Sequence, residues 1–341
     1  MMTQPRVPEA MTAVVLESFT GPEALRIEQR PVPQPGKDEV LVKIAASPIN
    51  PSDLAYLEGQ YGFKNQPPVV PGGEGSGTVV AVGPGMAGRY FLGKRVACLN
   101  QGSSNGMWAE YVVTSALGGV LPLHSSVSLE QGAMSMINPL TASAFLEIAK
   151  KGRHKTIVLT AAASSLGQMV NRLCLSEGMQ VINVVRRAAQ VALLKGLGAT
   201  VVLNSSTADF DQQLHEACHQ AGARLAFDAV AGPMMQQLLD ALPQHSQVTV
   251  YSCLSHKAPQ VGHDHLIFED KAVTGFWLGP WIRNMNLLQI LMLWRRAQNL
   301  MAAELKSNIR AQYPFKEAKK AVQDYLSQMT GGKILLKPKM V

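Results

Sequence analysis

Between residues 156 and 278, short β-branched runs alternate with helical stretches at a steady pace. The runs are TIVLTA, QVINVV, TVVLNS, LAFDAV, QVTVYS and AVTGFWL, and the stretches between them include AAQVALLKGLGA, DFDQQLHEACHQAG and PMMQQLLDALP. A strand that reaches the next through a helix must run parallel to it, because each crossover returns the chain to the same end of the sheet. The helices then cover both faces, which makes this an α/β, doubly wound arrangement. This one pattern assigns residues 133–282 to a Rossmann-type domain. Its first element is the helix PLTASAFLEIAKKG, stopped at Gly152.

The rest of the chain reads differently. Residues 11–135 hold the short runs MTAVVLE, EVLVKIAAS, GSGTVVAVG, KRVACL and AEYVVT, separated by Gly, Pro and Asn. SDLAYLEG carries the best helical signal there. After residue 282 come a long helix, NLLQILMLWRRAQNLM, a more polar one, KEAKKAVQDYLSQ, and the strand KILLKP. A chain of 341 residues exceeds what one core usually serves. Two domains are expected, 1–132 with 283–341 and 133–282. The 47% hydrophobic and 16% charged composition fits a soluble enzyme. The net charge of +7 is scattered, without an aromatic-interleaved basic stripe, which suits anionic small ligands and not nucleic acid. Cys98, Cys174, Cys218 and Cys253 are nowhere closer than 35 residues, so no zinc-ribbon spacing exists, and reduced thiols in a cytoplasmic protein are expected. No apolar leader and no membrane span is read in the chain.

The nucleotide-binding turn of such a sheet follows its first strand. Here that turn is LTAAASSLGQM, with Gly167 its single glycine. The turn must let backbone N–H groups approach a pyrophosphate in front of a helix N-terminus. Alanine and serine are the next smallest residues, and a serine hydroxyl can itself donate to phosphate. Ala161, Ala162, Ala163, Ser164 and Ser165 keep the turn small, and Gly167 serves close helix–strand packing. The second strand, QVINVV, runs into Arg186 and Arg187, the former 19 residues after Gly167. An acidic residue near that place would hold the ribose 2′-hydroxyl of NAD. Two arginines suit a 2′-phosphate instead, so NADPH is the expected cofactor.

The stretches INPSDLAYLEGQYG, PPVVPGGEG, INPLTA, INVVR and LIFEDKAVTGFWL resemble the zinc-free branch of the medium-chain dehydrogenase/reductase superfamily. The likeness is greatest to its mitochondrial-type 2-enoyl thioester reductases. INPSD and NPLTA are also similar to quinone oxidoreductases, whereas INVVR and GFWL are more specific to the enoyl reductases. The resemblance implies a GroES-like β-rich catalytic domain beside the Rossmann-type coenzyme domain, and a homodimer paired through the AVTGFWL strand. Metal-dependent relatives hold catalytic zinc with a cysteine near SPINPSD and a histidine in a GHE triplet. Here Asn50 and Gly72-Gly73-Glu74 stand in those places, and the four-cysteine structural lobe is missing. No metal is expected. His215-Glu216-Ala217-Cys218-His219 matches HExxH, but is read as a chance match on a solvated helix face. His263-Asp264-His265 is read as a polar loop.

By the same resemblance, Tyr61 takes the place of the catalytic tyrosine. Saturating a conjugated C=C–C=O needs a hydride at the β carbon and a proton at the α carbon, and a phenol that keeps its proton at neutral pH can donate to the enolate-like intermediate. Asn138 and Thr141 would lie beside the cofactor. Ala163, Ser164, Ser165 and Leu166 would bind the pyrophosphate, and Arg186 and Arg187 the 2′-phosphate. The family's second arginine stands two positions after the first, where this chain has Ala188, which leaves Arg187 as the substitute. Tyr251, Ser252 and Leu254 would line the cofactor. Phe276, Trp277 and Leu278 would face the nicotinamide amide, and Lys333 would reach phosphate. Asn50, Tyr61 and Trp277 would line the substrate cleft. The leading expectation is an NADPH-dependent reductase of 2-enoyl thioesters on coenzyme A or acyl carrier protein. The alternatives are a quinone oxidoreductase, for which Tyr61 is dispensable, and a non-catalytic member that binds NADPH or single-stranded nucleic acid.

Overall fold

In this computed structural model, residues 7–339 are described except 101, 104 and 302. They divide into one unit made of 1–137 with 294–341 and another made of 138–293. The joints lie several residues from those read in the sequence. At the first, the helix that begins at Asn138 opens its own unit; at the second, a short helix and the first turns of a long one stay with the residues before them.

The first unit begins with an antiparallel pair, β1 (Ala10–Leu16) and β2 (Leu25–Pro31). Then come β3 (Glu39–Pro48), helix α1 (Pro51–Leu57), β4 (Glu74–Val82), β5 (Arg95–Leu99), β6 (Tyr111–Ser115), β7 (Val120–Pro122) and helix α2 (Leu129–Ala133). The second unit follows with α3 (Asn138–Lys151), β8 (Thr156–Leu159), α4 (Ser165–Ser176), β9 (Gln180–Val185), α5 (Ala188–Gly196), β10 (Val201–Asn204) and α6 (Phe210–Ala221). It continues through β11 (Leu225–Asp228), α7 (Pro233–Ala241), β12 (Gln247–Val250), α8 (His263–Ile267), β13 (Ala272–Gly275) and α9 (Leu278–Arg283). Helix α10 (Leu287–Leu300) crosses the joint, and β14 (Ile309–Pro314), α11 (Ala318–Ser327) and β15 (Lys333–Lys337) return to the first unit.

The first unit's sheet has the order β14-β15-β3-β4-β5-β7, with β6 also on β3. Strand β15 pairs antiparallel with β3 through Leu335↔Pro48 and Leu336↔Ser47. The core is built from aliphatic strand residues around Trp108 and Phe315, both fully buried. Strand β2 (LRIEQRP) carries three charged residues and was not legible as a strand, because only Leu25 of its seven residues is buried and no apolar alternation results.

The second unit is the parallel sheet that the sequence pattern demands. Its order is β10-β9-β8-β11-β12-β13, every neighbouring pair parallel. Central β8 and β11 are buried along their whole length, and edge strand β13 is largely exposed. The strand order reverses between β8 and β11, and the carboxyl ends there are where such sheets receive ligands.

Candidate active site

In the second unit, most of the expected cofactor residues directly follow the carboxyl ends of strands, whereas Asn138 and Thr141 precede the first of them. Ser164 caps the N-terminus of α4, its Oγ accepting the Gly167 N–H at 3.1 Å. That leaves its hydroxyl proton to donate outward. Ala163 is buried, and Ser164, Ser165 and Leu166 are half-buried in the opening of the helix. A Cβ on Gly167 would lie 2.3 Å from the Ala162 carbonyl oxygen, so only glycine lets α4 approach its turn this closely. Ala161 takes the left-handed conformation, φ 48°, which tightens the same turn.

Arg186 and Arg187 are exposed immediately after β9. Their backbone N–H groups both donate to Gln190 Oε1 at 3.1 Å, and the Ser206 hydroxyl donates to the Arg186 carbonyl. The backbone is thus pinned while the side chains stay at the surface. Gln190 could have been found from its position three residues into the helix, where a side-chain acceptor reaches back to the cap. Asn138 and Thr141 are buried in the first turn of α3.

Tyr251 follows β12, and its hydroxyl is buried without a hydrogen-bond partner. An orphaned polar atom at this end of the sheet fits a site whose remaining partner is a ligand. Burial, and the nearby Asp228 carboxylate, push this phenol's pKa upward. Ser252 and Leu254 follow it on the same strand end, with Leu254 exposed and its N–H bonded to Ala229 O at 2.9 Å. Phe276 N–H donates to Val250 O at 2.8 Å, and its ring packs on Phe145 at 5.1 Å. Trp277 is 41% exposed, and Leu278 opens α9. The small turn, the helix N-terminus, the two arginines and the orphaned hydroxyl together fit a dinucleotide carrying a 2′-phosphate.

The first unit holds a different kind of site. Asn50, Asp53, Glu74 and Lys333 are each no more than 3% exposed. Lys333 Nζ donates to Asn50 Oδ1, and Asn50 Nδ2 donates to Glu74 Oε1 at 3.0 Å. The other oxygen of Glu74 accepts the N–H groups of Met136 and Ile137 at 3.0 and 2.9 Å. Asp53 accepts the Asn50 and Gly73 N–H groups at 2.8 and 2.9 Å. Burial pushes Asp53 up to about 7, against the pull of those two backbone donors. Burial also raises Glu74 and lowers Lys333, each opposed by the charge of the other.

Lys333 and Asn50, expected at a phosphate and in the substrate cleft, belong to this buried cluster: the Lys333 ammonium donates to the Asn50 amide oxygen, and both ends of that amide are engaged. The Asn50 amide and the Lys333 ammonium lie 283 positions apart, and Glu74 is 24 positions from Asn50, so no local pattern could have announced these side-chain pairings.

Tyr61 lies outside regular structure, half-buried, with its ring edge-on to Phe63 at 5.0 Å. His215, Glu216 and His219 are exposed on α6, the two imidazoles stacked at 4.1 Å, as a solvated face allows. The reading of 263–265 as a polar loop is overturned. These residues open helix α8, and His265 is buried, with Nε2 2.8 Å from Asp240 and Nδ1 3.0 Å from Glu269. Two carboxylates supply the partners that let a histidine go inside. Among the described residues no group of three or more His, Cys, Asp or Glu is arranged to hold a metal ion. No helix there is long and apolar enough to cross a membrane.

Comparison with known proteins bears on both units. The family description "Alcohol dehydrogenase GroES-like domain" matches residues 36–125, and "Zinc-binding dehydrogenase" matches residues 165–291. The mitochondrial enoyl-[acyl-carrier-protein] reductase of Arabidopsis thaliana is 31% identical over 276 residues, 79% of this chain and 72% of that protein. A candidate NADPH:quinone reductase of Mesorhizobium loti has a similar solved structure, with a TM-score of 0.92, 34% identity, and 98% of this chain and 100% of that one covered. A mycobacterial protein solved in complex with NADPH has a TM-score of 0.83 at 26% identity, covering 96% and 100%. The second family description names zinc. The set around Asn50 and Glu74 has no thiolate or imidazole and includes an ammonium, so it does not suit that metal.

Proposed function

Because the chain belongs to the medium-chain dehydrogenase/reductase family, we propose that it reduces the carbon–carbon double bond of a 2-enoyl thioester without a metal. It is an NADPH-dependent oxidoreductase that acts on a small molecule. Its fold is a GroES-like β-rich domain with a Rossmann-type one.

When bound, NADPH supplies a hydride to the β carbon. The chain's own groups do the rest. Backbone N–H groups at the α4 N-terminus, with the Ser164 and Ser165 hydroxyls, hold the pyrophosphate. Arg186 and Arg187 pair with the 2′-phosphate. The Tyr61 phenol gives its proton to the enolate-like intermediate. The carrier of the acyl group is coenzyme A or acyl carrier protein, and two copies pair through β13, whose outer edge has no neighbouring strand among the described residues.

The observation that carries the reading is a tyrosine at position 61 in a chain whose curated relatives include enoyl reductases. A second reading, quinone reduction, is favoured by the similarity to the Mesorhizobium loti structure. Turnover of crotonyl-CoA and of a small quinone by the wild type and by Tyr61→Phe separates the two. Enoyl reduction should fall roughly 100-fold or more in the variant, with KM little changed and quinone turnover retained. Crotonyl-CoA reduction at the wild-type rate by Tyr61→Phe would place the quinone reading first.

A further inference from the structure

A proton donor must be held still, yet the segment that carries Tyr61 has no helix or strand to hold it. Gly59 takes the left-handed conformation, φ 68°, and Gly62 follows the tyrosine directly. Backbone hydrogen bonding of the regular kind is therefore not what orients the phenol. Side-chain packing is available instead. The Tyr61 ring meets Phe63 at 5.0 Å and 82°, an edge-to-face pair. Phe63 meets Tyr56 at 5.7 Å, and Tyr56 meets Phe19 edge-on at 5.4 Å.

The far end of this ring series is anchored. Tyr56 is buried on α1, and its hydroxyl accepts the Asn65 amide N–H at 3.3 Å, clipping the downstream part of the same segment back to the helix. The upstream part is packed as well, since a Cβ on Gly59 would come within 2.9 Å of Phe19 Cβ. Phe63 thus sits between a fixed ring and the tyrosine, in contact with both.

We propose that Phe63 is a positioning residue for Tyr61, transmitting the fixed orientation of Tyr56 to the phenol. This rests on Tyr61 being the proton donor. The aromatic edge sets the ring plane, and the ring plane sets where the hydroxyl points. A misplaced donor loses transition-state stabilisation without loosening the substrate.

The test is a double-mutant cycle on crotonyl-CoA reduction with Phe63→Leu, Tyr61→Phe and the pair. Phe63→Leu should lower kcat about tenfold, the scale of one lost edge-to-face pair, with KM within about twofold. Phe63→Tyr, which keeps the ring, should restore most of that loss. In the Tyr61→Phe background, Phe63→Leu should do no further harm, because the hydroxyl it positions is gone. Should Phe63→Leu unfold the protein, Phe63→Met, whose unbranched chain fills irregular gaps without a ring, takes its place in the cycle. Equal losses in both backgrounds, or an unchanged kcat, would overturn the assignment. A Tyr61→Phe enzyme that works at the wild-type rate sinks the donor role itself, an outcome read before Phe63 is touched.

Discussion

Lys333, Glu74 and Asp53 are sealed from water, so each charge depends on its neighbours. Lys333→Met would leave two buried carboxylates facing an amide with no ammonium behind it. Breaking a buried pair from one side destabilises by about 3–5 kcal/mol, whereas removing both charges is much milder. Urea unfolding should therefore show Lys333→Met as severely destabilised, and Lys333→Met with Glu74→Gln as partly recovered; a double variant no better than the single would disprove the coupling. The pH dependence has a definite sign. An unfolded Asp53 releases its proton near pH 4, but burial holds it up to about 7 in the fold. Between those values the folded chain binds a proton that the unfolded chain has lost, so this group's contribution falls as pH rises, by up to ~1.4 kcal/mol per unit. Glu74, raised by the same burial, acts in the same direction. None of this was legible in the sequence. A lysine near a strand start carries no mark of burial in the sequence, and its partner Asn50 is 283 positions away.

At the level of elements, strands flanking the cofactor turn were legible because burial on both faces demands unbroken β-branched runs. β8, β9, β11 and β12 all appear where those runs lie. β14 (IRAQYP) escaped notice, being half-buried throughout and carrying an arginine and a glutamine. α8 and α9 are too short for a 3.6-residue period to show. The alanine-and-serine turn keeps a single glycine, and the geometry around Gly167 requires it. Adding a methyl group there drives it into the backbone of Ala162, which cannot rotate away as a side chain could. Gly167→Ala should lower stability by about 1–3 kcal/mol through overpacking. It should also reduce the upward shift of Tm that NADPH gives, because a ligand stabilises only in proportion to its binding. Thermal melts with and without NADPH check both; an unchanged NADPH-induced shift would separate Gly167 from the cofactor site.

For the molecule as a whole, the outer side of β13, which pairs with no strand among the described residues, governs assembly, since an exposed strand edge invites another strand. Ile267 and Phe268, 66% and 73% exposed, lie just before it. Two copies paired edge to edge would cover both the open backbone groups and these side chains. Light scattering should give twice the chain mass. Phe268→Glu, which sets a charge beside the same edge on each copy, should shift the population toward single chains while leaving the far-UV spectrum unchanged. A wild-type protein that stays a single chain at micromolar concentration would refute the pairing.

The return of β15 to β3 has a consequence for how the chain is made. Residues 138–293 form one uninterrupted stretch, so every strand of that unit has left the ribosome before residue 294 does. The other unit must wait, because β14, α11 and β15 are supplied by residues 309–337. Until then β3 lacks one of its partners, and Asp53 and Glu74 lack the ammonium that faces them. Domains fold as they emerge during synthesis. The nascent chain therefore completes its second unit before its first, and carries an open flank of β3 until residues 333–337 are made.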